Sequence, residues 1–229
     1  MDAVLFDLDD TLCRYRRAGR VVLANAFEAA GVEPCFTIDD YYAVFDDHAD
    51  EADTMEGQRA ACFAALAEEA GRDPELGRAV ARAYAVDRDH RNVTFLEGAQ
   101  AALAALGAER PLGLVTNGAP GMQTTKLEAL GIPDAFDTMV FAGYDTAPKP
   151  DPEPFRTVIE ALGVAPERTV HIGNSIESDV AGANAAGVTS VWLEHESTPP
   201  AAAEPDYTVG SLSELTDPPW STRKPSGNP

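Results

Sequence analysis

Short runs of consecutive apolar residues alternate along this chain with stretches whose apolar positions recur every three or four residues. The runs at 3–8 (AVLFDL), 111–116 (PLGLVT) and 169–173 (TVHIG) predict buried strands, and 138–142 (TMVFA) and 189–193 (TSVWL) predict two more. Unbroken apolar runs, as opposed to strict alternation, suit strands covered on both faces. The helical pattern is clearest in 152–163, where Phe155, Val158, Ile159 and Leu162 fall at i, i+3, i+4 and i+7. Residues 96–107 and 120–131 are rich in alanine or leucine and end on glycine, a natural helix stop. Strands alternating with helices predict an α/β core with a parallel sheet, built from residues 1–13 and 96–216. Residues 14–95 break the alternation. They show no strand pattern, only helical ones at 20–30, 38–48, 56–70 and 74–87, and predict an inserted α-helical cap domain. A last strand and a short helix are expected in 205–216. From Asp217 the chain is dominated by Pro, Ser and Gly, which predicts a disordered tail over 217–229.

Composition narrows the function classes. The 229 residues are 45% hydrophobic and 24% charged, enough for a sizeable core. No apolar run approaches the ~20 residues of a membrane span. The start, an acidic residue and then a strand-like run, lacks the basic and long apolar segments of a signal peptide, so a cytoplasmic location without membrane association is expected. A net charge of -21 argues against a basic face for nucleic acid. Lysine occurs only at positions 126, 149 and 224, against abundant arginine and aspartate. This balance resembles that of proteins from salt-loving organisms, where excess surface carboxylate keeps the protein soluble and salt screens the self-repulsion. Cys13, Cys35 and Cys62 form no CxxC pair, so they predict buried fillers and neither a zinc site nor a disulfide framework. No protein partner is predicted. The acidic run at 39–56 reads as hydrated surface, and the arginine-rich 14–20 (RYRRAGR) as a solvated helix start.

Candidate chemistry begins at the end of the first strand. Val4, Leu5 and Phe6 lead into Asp7-Leu8-Asp9-Asp10-Thr11-Leu12. Period-two alternation puts Asp7 and Asp9 on the same side while the chain stays extended. Two carboxylates that close repel each other and suit a divalent cation, which neutralises both. A helix cap or turn would explain one such acid. It would not explain a buried strand feeding a pair.

FDLDDTL resembles the first motif of the haloacid dehalogenase-like superfamily, four apolar residues and then DxDxT. The other motifs follow in order. LGLVTNG (112–118) is similar to the second, an apolar strand ending in Thr or Ser, here Thr116. PKPDPEPF (148–155) resembles the third, whose essential residue is a lysine, here Lys149. HIGNSIESDVAGANAAG (171–187) resembles the fourth, usually GD with a further Asp four or five positions on. The resemblance covers about residues 3–193. It implies a Rossmann-like core carrying a helical cap, and all four motifs fall at the carboxyl ends of predicted strands, where parallel sheets place their ligands.

For this chain the resemblance implies a Mg2+-dependent phosphohydrolase for a small-molecule phosphate ester. Asp7 is the expected nucleophile, forming an aspartyl phosphate. Asp9 is the expected acid and base, protonating the leaving oxygen and then deprotonating water. Thr116 and the backbone N–H of Asn117 are expected to bind the phosphoryl group, with Lys149 supplying positive charge. The metal ligands expected are Asp7, Asp9, Asn174 and Asp179. Asn174 departs from the pattern, because it stands where the family most often has the metal-binding Asp; an amide oxygen can ligate a hard cation but brings no charge. Two alternatives stand beside the phosphatase. The dehalogenase branch has an Asn in its fourth motif and acts on carbon without magnesium, but it lacks the second acid of the first motif, present here as Asp9. A catalytically silent binding protein is opposed by the complete set Asp7, Asp9, Thr116 and Lys149.

Overall fold

The computed structural model describes residues 1–45, 47–48, 54–194 and 203–221. The chain divides into two compact units, Met1–Arg14 with Val93–Pro229, and Tyr15–Asn92. The first unit is built on a six-stranded sheet in the order β5 (Thr138–Ala142), β4 (Leu112–Asn117), β1 (Ala3–Phe6), β6 (Thr169–Gly173), β7 (Thr189–Leu193) and β8 (Tyr207–Val209). Every pairing is parallel.

β1 is central, and all four of its residues are buried. Its side chains alternate between two cores. Val4 and Phe6 join a cluster with Leu112, Leu114, Leu127 and Ile172, while Leu5 points to the opposite face with Val115, Val140, Phe155 and Val158. Burial on both faces is why the sequence of β1 reads as an unbroken apolar run. The connections step outward from β1 to β4 and β5 on one side, then cross to β6, β7 and β8 on the other. The order therefore reverses at β1, and parallel sheets place their ligands at such a reversal, here beyond the carboxyl ends of β1, β4 and β6.

Helices cover the sheet as the periodicity requires. α7 (Glu153–Leu162) buries Phe155, Val158 and Ile159. α6 (Pro120–Leu130) stops at Gly131, which takes the left-handed conformation with φ 73°. Gly107 does not act as the expected stop. It lies within the last turn of α5 (Ala99–Gly107), and a right-handed Ala108 follows. A wide helical turn at Ile176–Val180 runs into α8 (Ala181–Ala186).

The second unit holds α1 (Gly19–Ala30), α2 (Ile38–Ala43), α3 (Met55–Glu69) and α4 (Pro74–Asp87). Thr37 and Asp40 form a capping box at the start of α2, and Asp73 caps α4 ahead of Pro74. Phe63 sits at the middle of an aromatic core, with ring centroids 5.0 Å from Phe36, 5.0 Å from Tyr41 and 5.6 Å from Tyr84. α2 ends at Ala43, short of the 38–48 expected.

Two further expectations need correction. The stretch 14–95 does contain strand, because β2 (Cys13–Tyr15) and β3 (Val93–Phe95) pair in a two-stranded sheet at its edges. Each is three residues long, too short to leave a periodic signature. The end of the chain also carries structure further than expected. Trp220 packs on the larger core beside Tyr207, with ring centroids 6.3 Å apart. The remainder of the expected tail, 222–229, lies outside the described residues. Among the described residues, no helix is long and apolar enough to cross a membrane.

Candidate active site

The charged residues gather just beyond the carboxyl end of β1. Asp7 follows the strand directly, and its N–H donates to the Ile172 carbonyl at 2.9 Å, continuing the β1–β6 ladder by one residue. The chain then turns sharply. Asp10 adopts φ 55°, a left-handed conformation that Asp tolerates better than most residues.

Lys149, 5% exposed, supplies the positive charge. Its Nζ donates to Asp7 Oδ1 at 2.8 Å, to Asp179 Oδ1 at 2.6 Å and to the Val115 carbonyl at 2.9 Å. An ammonium has three donors, and all three are used. The side chain of Asn117 holds the backbone of the same residue. Its Oδ1 accepts from the Lys149 N–H at 2.9 Å, and its Nδ2 donates to the Lys149 carbonyl at 3.2 Å.

Asp179 is fully committed within the protein. Oδ1 also accepts from His171 Nε2 at 3.0 Å, and Oδ2 accepts from the Ser175 N–H at 3.0 Å. A carboxylate only accepts, so the His171 proton sits on Nε2. Burial lowers the pKa of His171 and keeps the ring neutral. Gly173 is required here, because a Cβ at this position would lie 2.2 Å from the Asp179 carboxyl carbon.

Asp9 meets a second buried lysine. Lys126 Nζ lies 2.7 Å from both Asp9 oxygens, and Gln123 Nε2 donates to Asp9 Oδ2 at 3.0 Å. Gln123 Nε2 also donates to Thr116 Oγ1 at 2.9 Å. Asn174 follows β6, and its Oδ1 accepts from Thr11 Oγ1 at 3.1 Å.

The charges do not cancel. Asp7, Asp9 and Asp179 are set against Lys126 and Lys149. Burial raises the pKa of Asp7 to about 7; Lys149 opposes the rise, and the neighbouring Asp179 and Asp9 add to it. Asp179 shifts the other way. Burial would raise it, but Lys149 and His171 outweigh burial and hold it below the carboxylate range. Lys149 stays charged, because its two carboxylates outweigh the cost of burial.

The donor set suits a hard divalent cation on two grounds. The site has one negative charge in excess. Among the described residues, Asp7 Oδ2 takes no hydrogen bond, and the amide oxygen of Asn174 meets only Thr11. The described residues hold no group of three or more His, Cys, Asp or Glu side chains placed for a metal. Asp9 and Asp179, also expected as ligands, place their oxygens on ammonium, imidazole, amide and backbone donors.

The structure thus brings Asp7, Lys149 and Asp179 into direct contact and holds Asp9 and Thr116 through Gln123. Sequence patterns alone did not single out Gln123, Lys126 or Thr11 for these contacts, whereas His171 is packed and hydrogen-bonded as its place in a strand suggests. One signal was available for Lys126: in a chain that uses arginine for nearly all its cations, both described lysines are buried and ion-paired. A cavity of about 500 Å3 also occurs, lined by residues such as Arg20, Leu23, Phe27, Phe36 and Tyr42. It lies wholly in the second unit and contains none of these charged groups.

The family described as haloacid dehalogenase-like hydrolase matches residues 1–187. The phosphoserine phosphatase of Thermus thermophilus is 33% identical over 245 residues, covering 94% of this chain and 98% of that protein. The glyceraldehyde 3-phosphate phosphatase of Methanopyrus kandleri is 30% identical over 227 residues, covering 94% and 95%. Among solved structures, the magnesium-bound HAD-hydrolase YfnB of Bacillus subtilis superposes with a TM-score of 0.76 at 24% identity, over 94% of this chain and 97% of that one.

Proposed function

The chain belongs to the haloacid dehalogenase-like hydrolases, and from that membership we propose that it is a magnesium-dependent phosphatase for a small phosphorylated metabolite. The observation that carries this reading is Lys149, a buried ammonium spanning Asp7 and Asp179, with a second acid, Asp9, two residues beyond the nucleophile. Phosphatase names among relatives that align over most of the chain support the reaction class.

In the proposed reaction a carboxylate oxygen of Asp7 attacks phosphorus. The bond from phosphorus to the leaving oxygen breaks, and Asp9 supplies the proton that this oxygen takes up. A water molecule then attacks the aspartyl phosphate, gives its proton to Asp9, and releases inorganic phosphate and free Asp7. The Thr116 hydroxyl and the Asn117 N–H donate to phosphoryl oxygens. Lys149 keeps Asp7 in place and offsets the charge of the phosphate. Magnesium, held by Asp7 and Asn174, would supply the positive charge that the three carboxylates and the phosphate together require. Residues 15–92 act as a helical cap that selects the leaving group and excludes water.

The test is a panel of phosphate monoesters, including phosphoserine and glyceraldehyde 3-phosphate, assayed with magnesium and with chelator. Turnover should require the metal, and Asp7→Asn should lower it by roughly 10^4-fold or more. Wild-type turnover in the purified variant refutes the covalent mechanism. Full activity in chelator points instead to displacement at carbon, to be tried with a chloroacid.

A further inference from the structure

α6 buries an unusual face. Its buried residues are Gln123, Lys126 and Leu127. Gln123 and Lys126 lie three apart on one side of the helix, and they are 0% and 1% exposed. Burying an amide and an ammonium is unfavourable unless both find partners. The partners are Asp9 and Thr116, two residues on different strand ends that the proposed reaction uses.

The geometry of Gln123 is specific. The two N–H groups of Nε2 are shared among three acceptors, Thr116 Oγ1 at 2.9 Å, Asp9 Oδ2 at 3.0 Å and the Asn117 carbonyl at 3.2 Å, whereas Oε1 has no partner among the described residues. Flipping the amide would place its oxygen against the Asp9 carboxylate, so the donors fix its direction. A hydroxyl oxygen that accepts from Gln123 keeps its own proton for another acceptor.

We propose that Gln123 is a positioning residue for phosphoryl binding: it holds the Thr116 hydroxyl so that its proton points to a phosphoryl oxygen, and with Lys126 it fixes the Asp9 carboxylate alongside. The proposal rests on the phosphatase reading above, and the effect on binding is carried through Thr116.

The experiment measures the Kd of inorganic phosphate by calorimetry in magnesium buffer, for wild type, Gln123→Met, Thr116→Val and the double variant. Methionine keeps the volume and removes the amide. Gln123→Met should weaken phosphate binding about 10- to 100-fold, the range expected when a hydrogen bond to a charged group is lost. Its melting temperature should fall by a few degrees at most, since buried acceptors lose their shared donor while the fold stays intact. In the Thr116→Val background the same substitution should change the Kd by less than about twofold, because the hydroxyl it orients is absent. Gln123→Glu provides the same cycle should Gln123→Met not fold. Glutamate would accept the Thr116 proton itself and should weaken binding at least as much. Equal weakening in both backgrounds, or no weakening in the first, overturns the proposal and leaves the phosphatase reading intact. Wild-type protein that neither binds phosphate nor hydrolyses any monoester overturns both.

Discussion

Replacing Asp7 with Asn should stabilise this protein. Burial, with Asp179 and Asp9 nearby, raises the pKa of Asp7 from 3.8 to about 7 in the folded chain despite Lys149. The folded state therefore binds this proton more tightly than the unfolded state. Stability falls as pH rises from about 4 to 7, and the full loss is reached above pH 7. A rise of that size corresponds to at most ~4 kcal/mol. Asp7→Asn removes the charge, keeps an oxygen to accept from Lys149, and leaves Lys149 paired with Asp179. Removing one member of a buried ion pair ordinarily destabilises by ~3–5 kcal/mol, because a bare charge remains. Here no bare charge remains, since the excess was negative. In chelator at pH 8, Asp7→Asn should melt several degrees above wild type, at ~2–4 °C per kcal/mol for a chain of this size. The two should converge below pH 4, where Asp7 is protonated. Adding magnesium should narrow the gap at pH 8 by stabilising only wild type, by ~2.7 kcal/mol at a hundred times its Kd. Thermal melts at pH 4, 6 and 8 with and without magnesium measure all of this. A variant less stable than wild type at pH 8, or a difference that is constant with pH, refutes the reasoning.

Asn174→Asp adds an anionic oxygen beside Asp7 and should lower the half-saturating magnesium concentration by roughly tenfold; an unchanged value in an activity titration removes Asn174 from the ligand set. Asp179→Asn should act through Lys149 and lower kcat more than it raises that concentration, and the reverse pattern would make Asp179 a direct ligand. Gly173→Ala puts a methyl 2.2 Å from the Asp179 carboxyl carbon, and should shift the urea midpoint by ~1–3 kcal/mol in stability and abolish turnover; a stable, active variant would show that the strand end yields. With a net charge of -21, the melting temperature should rise between 0.1 and 2 M KCl as screening shortens from ~10 Å to under ~3 Å. A falling melting curve would mean that surface repulsion is not a significant cost.

β1, β4 and β6, which lead into the site residues, were legible because each is a near-unbroken run of buried residues. Thr138–Ala142, Thr169–Gly173 and Thr189–Leu193 coincide with the apolar runs. α8, with the sequence AGANAA, was not legible, since small residues have no periodicity to read. The site residues at strand ends came from motif spacing. Those on α6 did not, because a Gln and a Lys in a helix ordinarily mark its solvent face. Only the three-dimensional fold shows that this face is turned inward onto Asp9 and Thr116.

The chain leaves the larger unit along β2 and returns along β3, and these two strands are hydrogen-bonded neighbours. An excursion that begins and ends at one place puts no constraint on its own length. The intervening segment can be lengthened, shortened or exchanged by recombination while the six-stranded sheet keeps its register. Such an exchange takes one continuous stretch of gene and leaves Asp7 and Lys149, both in the larger unit, unchanged.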